Sequence, residues 1–186
     1  MEKIDRFIWL MTGWFFKLIR KDLKEEQKKS WIQFVKFCIV GVTNTLIAYL
    51  INVGVLAALK NTALSAQVTW GGLTFSPDVV IGNTVAFILS VLWSFYWNNK
   101  YVFSLEEGHK RNLFLSLLKT YASYSVTGIF LTFVLSWLWV DVLGISKFIA
   151  PIINLFISVP VNFLLNKLWA FKSKKSEPEE EPADPA

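Results

Sequence analysis

Four stretches of the chain, residues 37–59, 79–99, 120–140 and 148–166, contain no Asp, Glu, Lys, Arg or His. Each has the length, about 17–25 residues, that crosses a bilayer as a helix. Hydrocarbon offers no partner to backbone N–H and C=O groups, so a spanning segment must satisfy its own, and a helix does this within one stretch. The expected fold is therefore an all-α membrane protein with four transmembrane helices. Composition agrees: 54% of the 186 residues are hydrophobic, 16% are aromatic and nine are Trp, more than a water-soluble domain carries. The first stretch begins too late for a signal peptide, and no small-residue cleavage site follows it. Cys38 is the only cysteine, so no internal disulfide can form, and it is expected to pack as a small apolar residue.

Charge orients the helices. Of the 19 Lys and Arg, nine fall in residues 1–36, four in 98–119 and four in 166–186, leaving only Lys60 and Lys147 for the other two connections. The positive-inside rule puts both termini and the 98–119 loop in the cytoplasm of a cell with the protein in its plasma membrane.

The flanking segments differ in character. Ile4, Phe7, Ile8, Met11, Phe15 and Leu18 recur at helical spacing between Arg6, Lys17, Arg20 and Lys21, which predicts an N-terminal amphipathic helix lying in the interface. Residues 21–30 read as a charged linker on a solvated helix face. Residues 60–78, with Gly71, Gly72, Pro77 and Trp70, predict an outer loop anchored by Trp at the headgroups; a short hairpin and an interfacial re-entry are the alternatives. Residues 173–186 are acidic and proline-rich, the composition of a disordered tail. The organisation is thus 1–30, interfacial helix and linker; 31–172, four-helix transmembrane domain; 173–186, tail.

The domain repeats. Ser90-Val91-x-x-Ser94-Phe95-x-x-Asn98 aligns without a gap on Ser158-Val159-x-x-Asn162-Phe163-x-x-Asn166, and both continue to an aromatic pair, Tyr101/Phe103 and Trp169/Phe171. Spans one and three match more weakly, each opening after a lysine, Lys36 and Lys119. A two-span unit returns to its starting side, so the two halves are parallel repeats, not inverted ones.

The repeat also carries the polar residues. Asn154, Ser158, Asn162 and Asn166 are spaced by four on span four; Ala86, Ser90, Ser94 and Asn98 occupy the same register on span two, with Asn83 one turn earlier. Span one brings Gly41, Asn44, Thr45, Ala48 and Asn52, and span three Thr120, Ser123 and Thr127. Small polar residues let helices approach and bond across their interface. The asparagines exceed that need, since each amide brings two donors and an acceptor into hydrocarbon. The expected site is therefore a polar path: Asn44, Asn83, Asn98, Asn154, Ser158, Asn162 and Asn166, with Lys36, Lys100, Lys119 and Lys167 as a phosphate-binding floor at its cytoplasmic mouth. Pro160 is expected to free a carbonyl beside Asn162.

Catalytic chemistry is not visible. No acidic residue lies inside a span, and no metal-ligand cluster, Cys/His pair or phosphate loop is present; His109 sits among loop charges and reads as solvated. A non-enzyme without cofactor or metal is expected. A small multidrug exporter would need a buried Glu in the first span, which is missing, and nothing in the chain points to nucleic acid.

These residues resemble a known family. Phe34-Val35-Lys36-Phe37-x-x-Val40-Gly41-x-x-Asn44-Thr45 opens span one, Asn83-x-x-Ala86 leads to Ser94-Phe95-x-x-Asn98-x-x-Tyr101-x-Phe103, and Asn162-Phe163-x-x-Asn166-x-x-Trp169-x-Phe171 closes span four. Together they resemble the GtrA-like membrane proteins over residues 31–172. The resemblance implies flipping of a polyprenyl-phosphate-linked monosaccharide, such as an undecaprenyl phosphate sugar, to the outer leaflet. There the sugar serves cell-surface polysaccharide or teichoic-acid glycosylation. It also implies a partner membrane glycosyltransferase. The alternative is a scaffold that recruits or stabilises that enzyme through the N-terminal helix and the 98–119 loop. A homodimer is expected from the small size of the bundle.

Overall fold

The computed structural model describes residues 3–18 and 23–175. Most of the acidic tail (176–186), Arg20, Lys21 and the side chain of Phe15 lie outside the described residues. Five long helices dominate the described residues: α1 (Lys3–Leu18), α2 (Glu25–Leu59), α3 (Pro77–Val102), α4 (Leu113–Val142) and α5 (Ala150–Ala170). The last four are each long and apolar enough to cross a membrane. The protein is all-α with short two-stranded additions at its ends.

Local sequence explains the boundaries. Pro77 begins α3, where a missing N–H costs nothing, and Asp78 sits in its first turn. Asn112 caps α4 by accepting from the Leu115 N–H at 3.0 Å. α2 starts at Glu25, so residues 25–30 form the solvated helix face expected there and run on without a break into the apolar segment. At 35 residues α2 is about 52 Å long, well beyond the roughly 30 Å of hydrocarbon, so its charged first turns project past the apolar zone. Helix α5 runs through Pro160 without a break.

The two ends of the bundle differ. At one end, β1 (Val68–Trp70) and β2 (Leu73–Phe75) form the hairpin, the alternative to a plain loop, and Gly71 and Gly72 turn it at φ 58° and 84°. Trp70 and Leu73 are exposed there. The other, basic end gathers α1, the α3–α4 loop and the start of the tail. Here β3 (His109–Lys110) pairs with β4 (Lys174–Lys175), so the expected tail yields its first residues to a strand. α1 is tied to α2: Trp31 Nε1 donates to Thr12 Oγ1 at 2.9 Å, and Lys36 pairs with Asp5. Ile8 is buried, while Ile4, Phe7, Met11 and Leu18 remain exposed.

The bundle is small and polar inside and large and apolar outside. Ser90, Ser94, Asn98, Ser116, Thr120, Ser123, Thr127, Asn154 and Asn166 are buried, while Phe130, Phe133, Phe148 and Phe156 face outward. Lipid removes the drive to bury apolar side chains, so close approach and polar satisfaction decide what lies between helices. The two halves, α2–α3 and α4–α5, run in the same direction. Their apolar core sits at the basic end, where Phe103 and Phe171 stack at 4.8 Å. The contacts around them are reciprocal: Phe95 stacks on Phe171 at 5.5 Å and Phe163 on Phe103 at 5.9 Å. Each half thus offers the same two rings to the other, the signature of an isologous contact.

Candidate functional site

The repeated asparagines begin identical local structures. α3 ends in a π turn over Asn98–Val102 and α5 in one over Asn166–Ala170. In each, the asparagine carbonyl accepts from the N–H five residues on, Phe103 N to Asn98 O and Phe171 N to Asn166 O, both 2.8 Å. Such wide turns cluster at functional sites. The geometry points Phe103 and Phe171 into the core and leaves Tyr101 and Trp169 on the rim.

A continuous polar chain joins the two halves. Asn98 Nδ2 donates to Ser94 Oγ at 3.0 Å, and Ser94 Oγ shares a 2.6 Å bond with the Tyr124 hydroxyl from α4. Tyr124 also interacts with the side chains of Asn98 and Asn162. Asn166 Nδ2 then donates to Asn162 Oδ1 at 3.0 Å and to Asn162 O at 2.8 Å. Asn98 and Asn166 are each 0% exposed. Their amide N–H groups are committed within the chain, yet both Oδ1 atoms are buried without a partner. A buried acceptor left unpaired costs about 1–3 kcal/mol, and here the cost falls at equivalent places in both repeats. The site therefore presents two acceptors, which suit hydroxyl or ammonium donors and repel phosphate oxygens. Asn44 Oδ1 and Ser158 Oγ are likewise buried and unpaired.

Other sequence-derived candidates stand elsewhere. Asn83 accepts from Asn52 Nδ2 at 2.8 Å and ties α3 to α2, about 22 Å along the helix from Asn98. Asn154 has both ends filled, accepting from Trp139 Nε1 at 2.9 Å and donating to Ser136 Oγ at 2.8 Å. These two asparagines join helices.

The lysines rest mostly on aromatic faces. Lys100 is exposed, lies 5.3 Å from the Tyr101 ring centre and donates to the Tyr96 hydroxyl at 3.2 Å. Lys119 sits 5.6 Å from the Trp169 ring. Lys167 lies over Phe163 and donates to Ser30 Oγ at 2.7 Å. Cation–π contact holds each side chain in place while keeping its charge.

Sequence reasoning passed over two residues. Tyr124 was not among the candidate residues of span three; its offset of four from Thr120 was the available signal. Arg111 read as one of several loop charges. It is held at the seam of the halves, Nη1 on Asn99 Oδ1 at 2.8 Å, Nη2 on Phe103 O at 2.9 Å, and its guanidinium 5.2 Å from the Phe171 ring. Burial pulls its pKa below the ordinary arginine value. In the same loop, the hydrogen bond from Lys29 holds the Glu106 carboxyl below its usual range.

Among the described residues there is no group of His, Cys, Asp and Glu able to hold a metal. The family model for the GtrA/DPMS transmembrane domain matches residues 36–171, from the lysine that opens span one to the last aromatic of the second repeat. No curated protein and no solved structure matches the chain.

Proposed function

This chain belongs to the GtrA/DPMS transmembrane-domain family, and we propose that it flips a polyprenyl-phosphate-linked monosaccharide across the plasma membrane. The family sets it among membrane proteins of glycosyl-lipid processes. In this reading both termini are cytoplasmic, and a partner glycosyltransferase loads the lipid-linked sugar on that side. The protein, alone or as a homodimer, presents the sugar outside for cell-surface polysaccharide or teichoic-acid glycosylation. No catalytic step is involved.

The observation that carries this reading is the pair of buried, unpartnered carbonyls on Asn98 and Asn166, joined through Ser94, Tyr124 and Asn162. A sugar entering hydrocarbon must replace its lost water bonds. Two acceptors already desolvated and positioned take sugar hydroxyls without further cost, while the prenyl chain stays in lipid. Neutral groups avoid trapping the anionic phosphate midway. With no carboxylate in any span to couple protons, movement follows the sugar gradient, pulled by consumption outside.

The test is reconstitution. Proteoliposomes holding a fluorescent polyprenyl-phosphate glucose report how fast the outer pool becomes accessible. With alanine at both Asn98 and Asn166 the rate is expected to fall at least about tenfold, the loss of one good hydrogen bond's worth of free energy. Unchanged flipping by a folded double variant sinks the proposal.

One observation favours the scaffold as a second reading. An open cavity of about 460 Å³ between α1 and α2 is lined by Phe16, Trp31 and Phe34, with Gln27 and Ser30 as polar edges. A partner enzyme could dock there. Removing residues 1–22 separates the readings: a scaffold loses its enzyme, and a flippase still moves lipid in liposomes.

A further inference from the structure

We propose that Arg111 is the phosphate anchor of this site, binding the phosphate ester of a lipid at the seam between the two repeats. The inference rests on the transport reading for its biological ligand, but not for its geometry.

Consider which cations are available at the basic end. Lys36 is paired with Asp5 and donates to the Tyr101 carbonyl, and Lys29 is paired with Glu106. Lys100 stands in the open. Lys119 and Lys167 are half-buried but rest on the Trp169 and Phe163 rings, and Lys167 also donates to Ser30. Arg111 differs from all of these in its unpartnered Nε. It is half-buried, no carboxylate among the described residues forms an ion pair with it, and its Nε is buried without a hydrogen-bond partner. Its hydrogen bonds go to neutral oxygens, on Asn99 and Phe103. A guanidinium withdrawn from water without a counter-charge is costly unless an anion completes it.

Position adds to the charge argument. Arg111 is bonded to the first π turn through Asn99 and Phe103 and packs on Phe171, the residue that ends the second. It therefore touches both halves where their equivalent ends meet, and Asn99 directly follows Asn98 in the chain. The planar fork suits phosphate oxygens better than an ammonium does. The asparagine network offers acceptors, which phosphate cannot use. Cation and acceptors together divide one ligand in two: phosphate against Arg111, donor-bearing sugar toward Asn98 and Asn166.

The full-length protein in phosphatidylcholine nanodiscs tests this by arginine-specific labelling with phenylglyoxal, with adducts read by mass spectrometry. Farnesyl phosphate is expected to slow labelling of Arg111 at least about fivefold while Arg6 is unaffected, and farnesol should protect neither. Protection by inorganic phosphate as well supports a site for the anion itself. Equal protection by phosphatidylglycerol supports the anion site with a bulk lipid headgroup as its source. No protection by any of these overturns the proposal. Arg111→Gln should weaken farnesyl phosphate binding at least about tenfold, and Arg111→Lys, which keeps the charge but loses the fork, by an intermediate factor. Should Arg111→Gln fail to fold, the labelling result on the unaltered protein decides alone. Failure of the transport reading is seen separately, as flipping retained by the Asn98/Asn166 double variant, and leaves protection of Arg111 untouched.

Discussion

Asn154 and Asn166 lie on one helix, three turns apart, and meet opposite fates. Asn154 has a donor on its oxygen and an acceptor on its nitrogen, both from α4. Asn166 spends its nitrogen on its own helix and leaves its oxygen buried and unmatched. The same contrast separates Asn83, matched by Asn52, from Asn98. Residue type and spacing are shared, so what differs is whether a neighbouring helix brings a complementary group. The matched pair holds helices together. The unmatched pair, set at equivalent points of two repeats, leaves two buried acceptors without donors.

That comparison can be broken in graded ways. The largest effect is expected from Phe103→Ala, which removes the ring at the centre of the reciprocal stack and should destabilise the bundle by about 3–5 kcal/mol in detergent unfolding. A small loss would mean that amides, not rings, hold the basic end. Next comes Asn154→Ala, which strands Trp139 Nε1 and Ser136 Oγ and should cost about 1–3 kcal/mol of stability while leaving flipping per folded molecule unchanged. Lost flipping in that stable variant would move the polar path to the hairpin end.

Tyr124→Phe removes the hydroxyl that bridges the halves and should cost about 1 kcal/mol, the scale of an interhelical bond in a membrane. Asn98→Ala and Asn166→Ala should each change stability by less than about 1 kcal/mol, because the lost donor bond is offset by removal of an unpaired acceptor. A loss as large as that of Asn154→Ala would show the two classes of asparagine to be one.

The smallest effect is a pH dependence. Glu106 has its pKa depressed by Lys29, so its contribution is present above the ordinary carboxylate pKa and lost as pH falls through the depressed value. The pair is exposed, and the melting temperature should decline only slightly on acidification. Glu106→Gln should flatten that decline. An unaltered acid profile would assign it to another carboxylate.

Much of this architecture was legible beforehand. Charge-free stretches at 37–59, 79–99, 120–140 and 148–166 became four helices, and the Ser90/Ser158 repeat became two matching halves. The charged residues 25–30 form the solvated first turns of α2, as their pattern suggested. The hairpin needed Gly71 and Gly72 to adopt positive φ, which composition permits but does not require. Among the candidate site residues, spacing of four put Asn154, Ser158, Asn162 and Asn166 on one face of α5, and nothing in that spacing distinguished a matched amide from an unmatched one.

The sequence by itself determined the spans, the parallel repeat and the polar content of the helix faces. These follow from hydrocarbon, which forces each segment to close its own backbone bonds and makes every polar side chain a cost. The tertiary structure alone decided which costs are met. Trp139 reaches Asn154, Tyr124 bridges Ser94 and Asn162, and Arg111 lands on the seam between the halves. Hydrogen bonds across helices depend on which residues face each other within about 3 Å, and that is set by packing, not by spacing along one chain.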